Sequence, residues 1–133
     1  AARDREVVVL GSSLGWQTLW IGLTFGIRTV GYELMDHRVY AARLAAAHIA
    51  ESTDGLVQFH HKDALSSDLS NAVVIYLTDL IWEDYLVVQV ANHVKQSLVK
   101  SGIGRRAVVI SNKYSSWSKM KFEHLGTLEV PVS

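Results

Sequence analysis

The chain predicts an α/β domain with a doubly wound, mostly parallel sheet, and three observations point to it. Short apolar runs recur along the sequence, beginning with Glu6 to Leu10 (Glu-Val-Val-Val-Leu), a pattern of strands buried on both faces. Segments with helical spacing separate these runs. Strands alternating with helices imply right-handed βαβ units and hence a sheet covered on both sides.

The elements follow in order. After a turn at Gly11 to Gly15, Trp16, Leu19, Trp20 and Leu23 recur at helical spacing. Ile21 and Phe25 make that helix apolar elsewhere too, so it is expected to pack on more than one face, with Gly26 closing it. Arg28 to Glu33 reads as the second strand. Asp36 is placed to cap a helix from His37 to about Ser52, with a buried stripe of Ala41, Leu44, Ala45, His48 and Ile49. A turn at Asp54-Gly55 leads to a third strand, Leu56 to His60. The polar connection Asp63 to Ser70 has room for one or two helical turns, and Ala72 to Leu77 is the most apolar strand. Val87, Val90, Ala91, Val94 and Leu98 share one face of the next helix, which stops at Gly102. Ala107 to Ile110 is the fifth strand. The end of the chain, with Pro131, is expected to form a hairpin or edge strand.

At 133 residues and 49% hydrophobic, the chain fits a single domain, 1–133, with a well-buried core. Cysteine is absent, which excludes disulfides and thiolate metal sites and suits an intracellular, reducing compartment, nucleus or cytoplasm. No apolar run is long enough to span a bilayer, and no membrane partner is expected. Ala1 is not an initiator methionine, which leaves room for flanking sequence. Charge is uneven: Ala1 to Asp84 holds 11 acids against 6 Lys/Arg, and Tyr85 to Ser133 holds 7 Lys/Arg against 2 acids. The acid-free segment carrying Lys95, Lys100, Arg105, Arg106, Lys113, Lys119 and Lys121 reads as a solvated face, or as a surface for nucleic acid or a nucleosome. Arg105 and Arg106 are expected to be the exposed test pair.

In a doubly wound sheet the ligand sits beyond the carboxyl ends of the strands. Gly11-Ser12-Ser13-Leu14-Gly15 occupies that place after the first strand, where a helix N-terminus offers free N–H groups. Glu33, 18 residues after Gly15, ends the second strand, where an acid can accept both hydroxyls of an adenosine ribose. Its replacement by alanine is expected to weaken ligand binding far more than folding. Asp63-Ala64 follows the third strand and is placed to read an adenine edge. A dinucleotide suits the loop less well, since Ser13 and Trp16 stand where the G-x-G-x-x-G fingerprint has glycine, and no P-loop is present. His60-His61 alternates along a strand, which argues against a metal site. Trp82 and Trp117 are candidates for a substrate slot or for core packing.

The order Val-Leu-Gly-Ser-Ser-Leu-Gly, Gly31-Tyr32-Glu33 and Lys62-Asp63-Ala64 resembles the motifs of class I S-adenosylmethionine (SAM)-dependent methyltransferases, which have Rossmann-like sheets. Adding Tyr76 to Leu80, Ser111-Asn112-Lys113 and Leu125-Gly126-Thr127, it is most similar to the histone-lysine methyltransferases that lack a SET domain, the disruptor of telomeric silencing family. That resemblance implies SAM as cofactor and methyl transfer, with a protein amine as one acceptor. It implies Gly11, Ser12, Ser13 and Gly15 near the methionine moiety, Glu33 on the ribose, and Asp63 with Ala64 at the adenine. Thr78 and Asp79 would be catalytic, facing the transferred methyl, with Asp79 orienting or deprotonating an amine. The departures are Val9 for the family's loop acid, Ser13 for its middle glycine, and Thr78-Asp79 for its Asn-Asn pair. They favour the alternative of a non-catalytic binding or scaffold module.

Overall fold

A computed structural model describes residues 5–49, 55–102 and 105–129. It holds five strands: β1 (Glu6–Leu10), β2 (Thr29–Glu33), β3 (Val57–His61), β4 (Ala72–Leu77) and β5 (Val108–Ile110). All pair in parallel in the order β3-β2-β1-β4-β5. Helix α1 (Trp16–Phe25) joins β1 to β2, α2 (Asp36–His48) joins β2 to β3, and α3 (Asp84–Lys100) joins β4 to β5. A single 3-10 turn (Ala64–Ser66) lies between β3 and β4, and a short helix α4 (Tyr114–Lys119) follows β5. The α/β, parallel, doubly wound reading of the sequence is thus the observed fold.

Strand alternation divides the core between the two faces of the sheet. On one face, Val57 and Phe59 meet Leu19 of α1 with Val39 and Ala42 of α2. On the other, Val8, Leu10, Val30, Tyr32, Ile75 and Leu77 meet Val87, Val90, Ala91 and Val94 of α3, with Trp117 of α4. The four α3 side chains are fully buried and are four of the five the helical spacing selected, the fifth, Leu98, being half-buried beside them. Each valine among them contributes at most about 1.5–3 kcal/mol, so a charge at Val90 would break the docking of this helix.

The structure corrects several expectations. Helix α1 buries only Thr18, Leu19 and Gly22. Trp16, Trp20, Leu23 and Phe25 are exposed, and Trp20 and Phe25 pack edge-on against each other instead. In α2 the buried residues are Val39 and Ala42. Leu44 and His48 face solvent, because the helix meets β3 along a line rotated from the expected stripe. Met35 is the N-cap and Asp36 the first helical residue. The expected end near Ser52 and Asp54 of the following turn lie outside the described residues. After β5 the chain forms α4 and then runs without regular structure to residue 129. No sixth strand is present among the described residues, and Pro131 lies outside them. No helix among the described residues is long and apolar enough to cross a membrane.

Candidate functional site at the carboxyl edge of the sheet

The chain leaves β1 toward β2 on one side, and β4 joins β1 on the other. The carboxyl ends of β1 and β4 therefore flank the switch point where such sheets take ligands. Gly11 to Gly15 coils there through three left-handed residues, Gly11 (φ 79), Ser13 (φ 52) and Gly15 (φ 90). Gly11 and Ser12 donate backbone N–H bonds to the Tyr32 carbonyl at 2.9 and 3.0 Å, and Gly15 donates to Ser12 at 2.9 Å. Gly11 is required sterically as well. A Cβ there would stand 2.5 Å from Thr78 Oγ1 and 3.0 Å from Trp82 Cζ2. Gly31 of β2 plays the matching part, since its own Cβ would meet the Ser12 side chain at 2.7 Å.

Two features of the loop suit an anionic ligand group. Gly15 is the N-cap of α1 and supplies no side-chain cap, so the helix presents its first N–H groups toward the crevice. Ser12 is fully buried, yet its hydroxyl has no hydrogen-bond partner. A buried hydroxyl without a partner costs free energy unless something completes it.

Glu33 lies where the sequence placed it, at the end of β2, but its carboxylate already has partners. Oε1 accepts from Ser13 N at 3.0 Å and Oε2 from Met35 N at 2.8 Å, and the residue is buried. The acid therefore holds the loop in shape. Its removal is therefore expected to cost stability as well as ligand affinity. Its two bonds leave free lone-pair directions, because a carboxylate offers about four. Asp63 is exposed beyond β3 and caps the 3-10 turn through Leu65 N at 2.9 Å, with Ala64 half-buried beside it.

Thr78 and Asp79 come to the same edge but turn inward. The Thr78 hydroxyl donates to the Gly11 carbonyl at 2.6 Å. Asp79 is fully buried, with one oxygen taking the Ser111 hydroxyl and the other taking Asn112 N at 2.8 Å and Asn112 Nδ2 at 3.2 Å. These two residues tie β4 to the loops after β1 and β5, which leaves Asp79 no open face toward an acceptor amine. The clamp was not legible in the sequence, because Asp79 and Asn112 meet only once β5 pairs with β4. Trp82 is half-buried against Gly11. Trp117 instead belongs to the core, edge-on to Phe122 at 4.8 Å.

Outside this edge little invites chemistry. A shallow depression on the outer side of β3 is bordered by Arg43, Gln58 and His60, but the Arg43 guanidinium is bonded to the Phe59 carbonyl. His60 stacks on Tyr32, and His61 bonds the Leu34 carbonyl. Burial, with Lys62, Arg43 and Arg28 nearby, holds His60 below the usual imidazole range. The basic segment is not one open stripe. Arg105, expected to be free, donates to the carbonyls of Leu69 and Ala72, while Arg106 is exposed. Lys113 lies 3.9 Å from Asp84, and Lys95 sits over Phe122.

No family model and no curated protein matches the sequence, but solved structures share the fold. An RNA methyltransferase from Salinibacter ruber, in complex with S-adenosyl-L-homocysteine (SAH), is 35% identical over 54% of this chain and 46% of its own, with a TM-score of 0.50. Geranyl diphosphate C-methyltransferase from Streptomyces coelicolor A3(2) is 15% identical over 66% of this chain and 33% of its own, with a TM-score of 0.57. The glycopeptide N-methyltransferase MtfA is 18% identical over 69% of this chain and 44% of its own, with a TM-score of 0.58. The chain spans less than half the length of each. Their shared architecture and the observed sheet give this chain the fold of the class I SAM-dependent methyltransferases.

Proposed function

We propose that the chain binds SAM at the Gly11–Gly15 loop and transfers its methyl group. The observation that carries this reading is the coiled loop at the switch point, with an uncapped helix N-terminus and a buried Ser12 hydroxyl lacking a partner. A carboxylate-bearing ligand accepts from the free N–H groups at the helix start. Gly11, Ser12, Ser13 and Gly15 would hold the methionine moiety. The spare lone pairs of Glu33 would take the ribose hydroxyls, and Asp63 with Ala64 would border the adenine. Bound SAM supplies a methyl group already made electrophilic by its sulfonium, so the protein's task is alignment and exclusion of water. Thr78 and Asp79 act in this reading as positioning residues. One fixes the Gly11 carbonyl, and the other locks the end of β4 to the loop after β5.

The acceptor is a finer matter. A protein amine is supported by the short motifs shared with the non-SET lysine methyltransferases, while none of the solved structures above is named as a protein-lysine enzyme. A nucleic-acid acceptor is supported by the 35% identity to an RNA methyltransferase and by the exposed Lys100, Arg106, Lys119 and Lys121. Such an anionic partner would bind with strong salt dependence. The burial of Asp79 favours the alternative of a scaffold that kept the fold without turnover. Calorimetric titration with SAM and SAH separates the enzyme from the scaffold. Saturable binding is expected of the enzyme. Absence of binding at millimolar ligand removes the enzyme and leaves the scaffold.

A further inference from the structure

We propose that helix α1 is the seat of a second copy of this chain, two α1 helices packing against each other across a two-fold axis. The inference stands apart from the methyl-transfer reading. Its first support is the character of the helix. A surface helix ordinarily turns one apolar stripe to the core and a polar face to water. From Leu14 to Ile27 no residue is charged, and α1 buries only Thr18, Leu19 and Gly22. Trp16, Trp20 and Phe25 remain 68%, 61% and 65% exposed. A helix apolar on every side belongs in an interior, and the sheet covers only one side of this one.

The second support is spacing. Trp16, Trp20 and Leu23 fall four and three residues apart, which sets them in one row along the outer side of α1. That row has the spacing of the seam by which helices pair at a shallow crossing angle. The Trp20 ring is held beside Phe25, edge-on at 5.7 Å, so part of the patch is oriented before any contact is made.

The third support is extent and charge. Aromatic side chains bury about 150–250 Å² each, so at these exposures the three rings still offer about 400 Å². The exposed parts of Leu14 and Leu23 bring the patch to about 500 Å². Two copies would then cover about 1,000 Å², the least that a specific interface needs and well short of an obligate dimer. A reversible dimer follows, with a dissociation constant on the order of 10 µM. Two-fold packing sets a patch against itself, so a charge within it would face its own sign. The charge-free run meets that condition. A lipid surface fits less well, because helices lying in headgroups carry Lys or Arg on their polar face, and α1 has neither.

The test compares the parent with the double variant Trp16→Glu/Trp20→Glu, with Trp20→Gln, and with Val99→Lys. Val99 is an exposed apolar residue of α3, on the opposite face of the sheet, and serves as the control for general stickiness. Sedimentation velocity from about 5 to about 200 µM follows the monomer–dimer equilibrium by mass action. The parent and Val99→Lys should shift from monomer to dimer across that range and go no further. The double variant should stay monomeric, its dissociation constant raised at least about tenfold. Trp20→Gln should raise it at least about threefold and decides the matter if the double variant fails to fold by circular dichroism. A parent that is monomeric throughout, or that grows past the dimer without limit, overturns the proposal. So does a folded double variant that dimerises like the parent, or a Val99→Lys variant that loses the dimer as well. Monomeric parent sedimenting with vesicles of phosphatidylcholine and phosphatidylglycerol would assign α1 to a lipid surface instead.

Discussion

Replacing Glu33 tests whether the carboxylate is a structural tie as well as a ligand group. Glu33→Ala removes the bonds to Ser13 N at 3.0 Å and Met35 N at 2.8 Å and leaves both amides without an acceptor. Hydrogen bonds to a charged group are worth about 1.5–3 kcal/mol each, so the pair amounts to about 3–6 kcal/mol. Glu33→Gln keeps the shape and one acceptor oxygen but turns an NH2 toward a backbone N–H, which costs about half of that. An unfolding entropy of about 2.1 cal/mol/K per residue over 133 residues gives about 0.3 kcal/mol per degree. The alanine variant should then melt about 10 °C or more below the parent and the glutamine variant about 5 °C below. Differential scanning calorimetry supplies the melts, and SAH titration well below both midpoints supplies the binding loss, expected to exceed tenfold. If both variants melt within about 2 °C of the parent, the carboxylate does not hold the loop, and its role is confined to ligand or solvent.

Three further outcomes are expected. Gly11→Ala combines a left-handed backbone with a Cβ only 2.5 Å from Thr78 Oγ1, so urea unfolding should show a loss of about 2–4 kcal/mol. Arg105→Ala strips the cation from the carbonyls of Leu69 and Ala72 and should cost about 1.5–3 kcal/mol, whereas Arg106→Ala should stay within about 0.5 kcal/mol. For His60, burial, then Lys62 and Arg43, hold the folded pKa below the ordinary imidazole value of 6.5. Its contribution to stability is therefore present above pH 6.5 and is lost as the pH falls through that value, where the unfolded chain takes up a proton that the folded chain refuses. His60→Gln should flatten the pH dependence of the melting temperature in that window and leave the carboxylate range unchanged.

Strands were legible where burial on both sides leaves an uninterrupted apolar run, as in Glu6 to Leu10 and Ala72 to Leu77. The α3 face was legible because its whole stripe enters one cluster. Helix α1 misled because tryptophan and phenylalanine read as core by type, while only Thr18, Leu19 and Gly22 face the sheet. The short α4 and its terminal sequel were not legible. Tyr114-Ser-Ser-Trp-Ser-Lys119 has weak helix formers and is fixed by Trp117 entering the core beside α3. At the site, Gly11 to Gly15, Glu33 and Asp63 could be placed because each ends a successive strand. Their hydrogen bonds could not be foreseen. Asp79 looked like an open acid because its partners, Ser111 and Asn112, are over 30 residues away.

The strand order also governs how the chain must assemble. β1 is made first but sits at the centre of the sheet, and Leu10 meets its neighbour on β4 only at Leu77. Until that segment has been synthesised, a nascent chain can form β3-β2-β1 with α1 and α2, but one flank of β1 keeps its backbone groups unpaired. The residues along that flank, Val7, Val8 and Val9, are buried in the finished fold, so the partial sheet presents an apolar, hydrogen-bond-hungry border to any other strand nearby. Pairing across such a long separation is also slow. A truncation ending after β3 is therefore expected to self-associate rather than settle as a smaller domain, and the arrival of β4 is the event that closes the molecule against its neighbours.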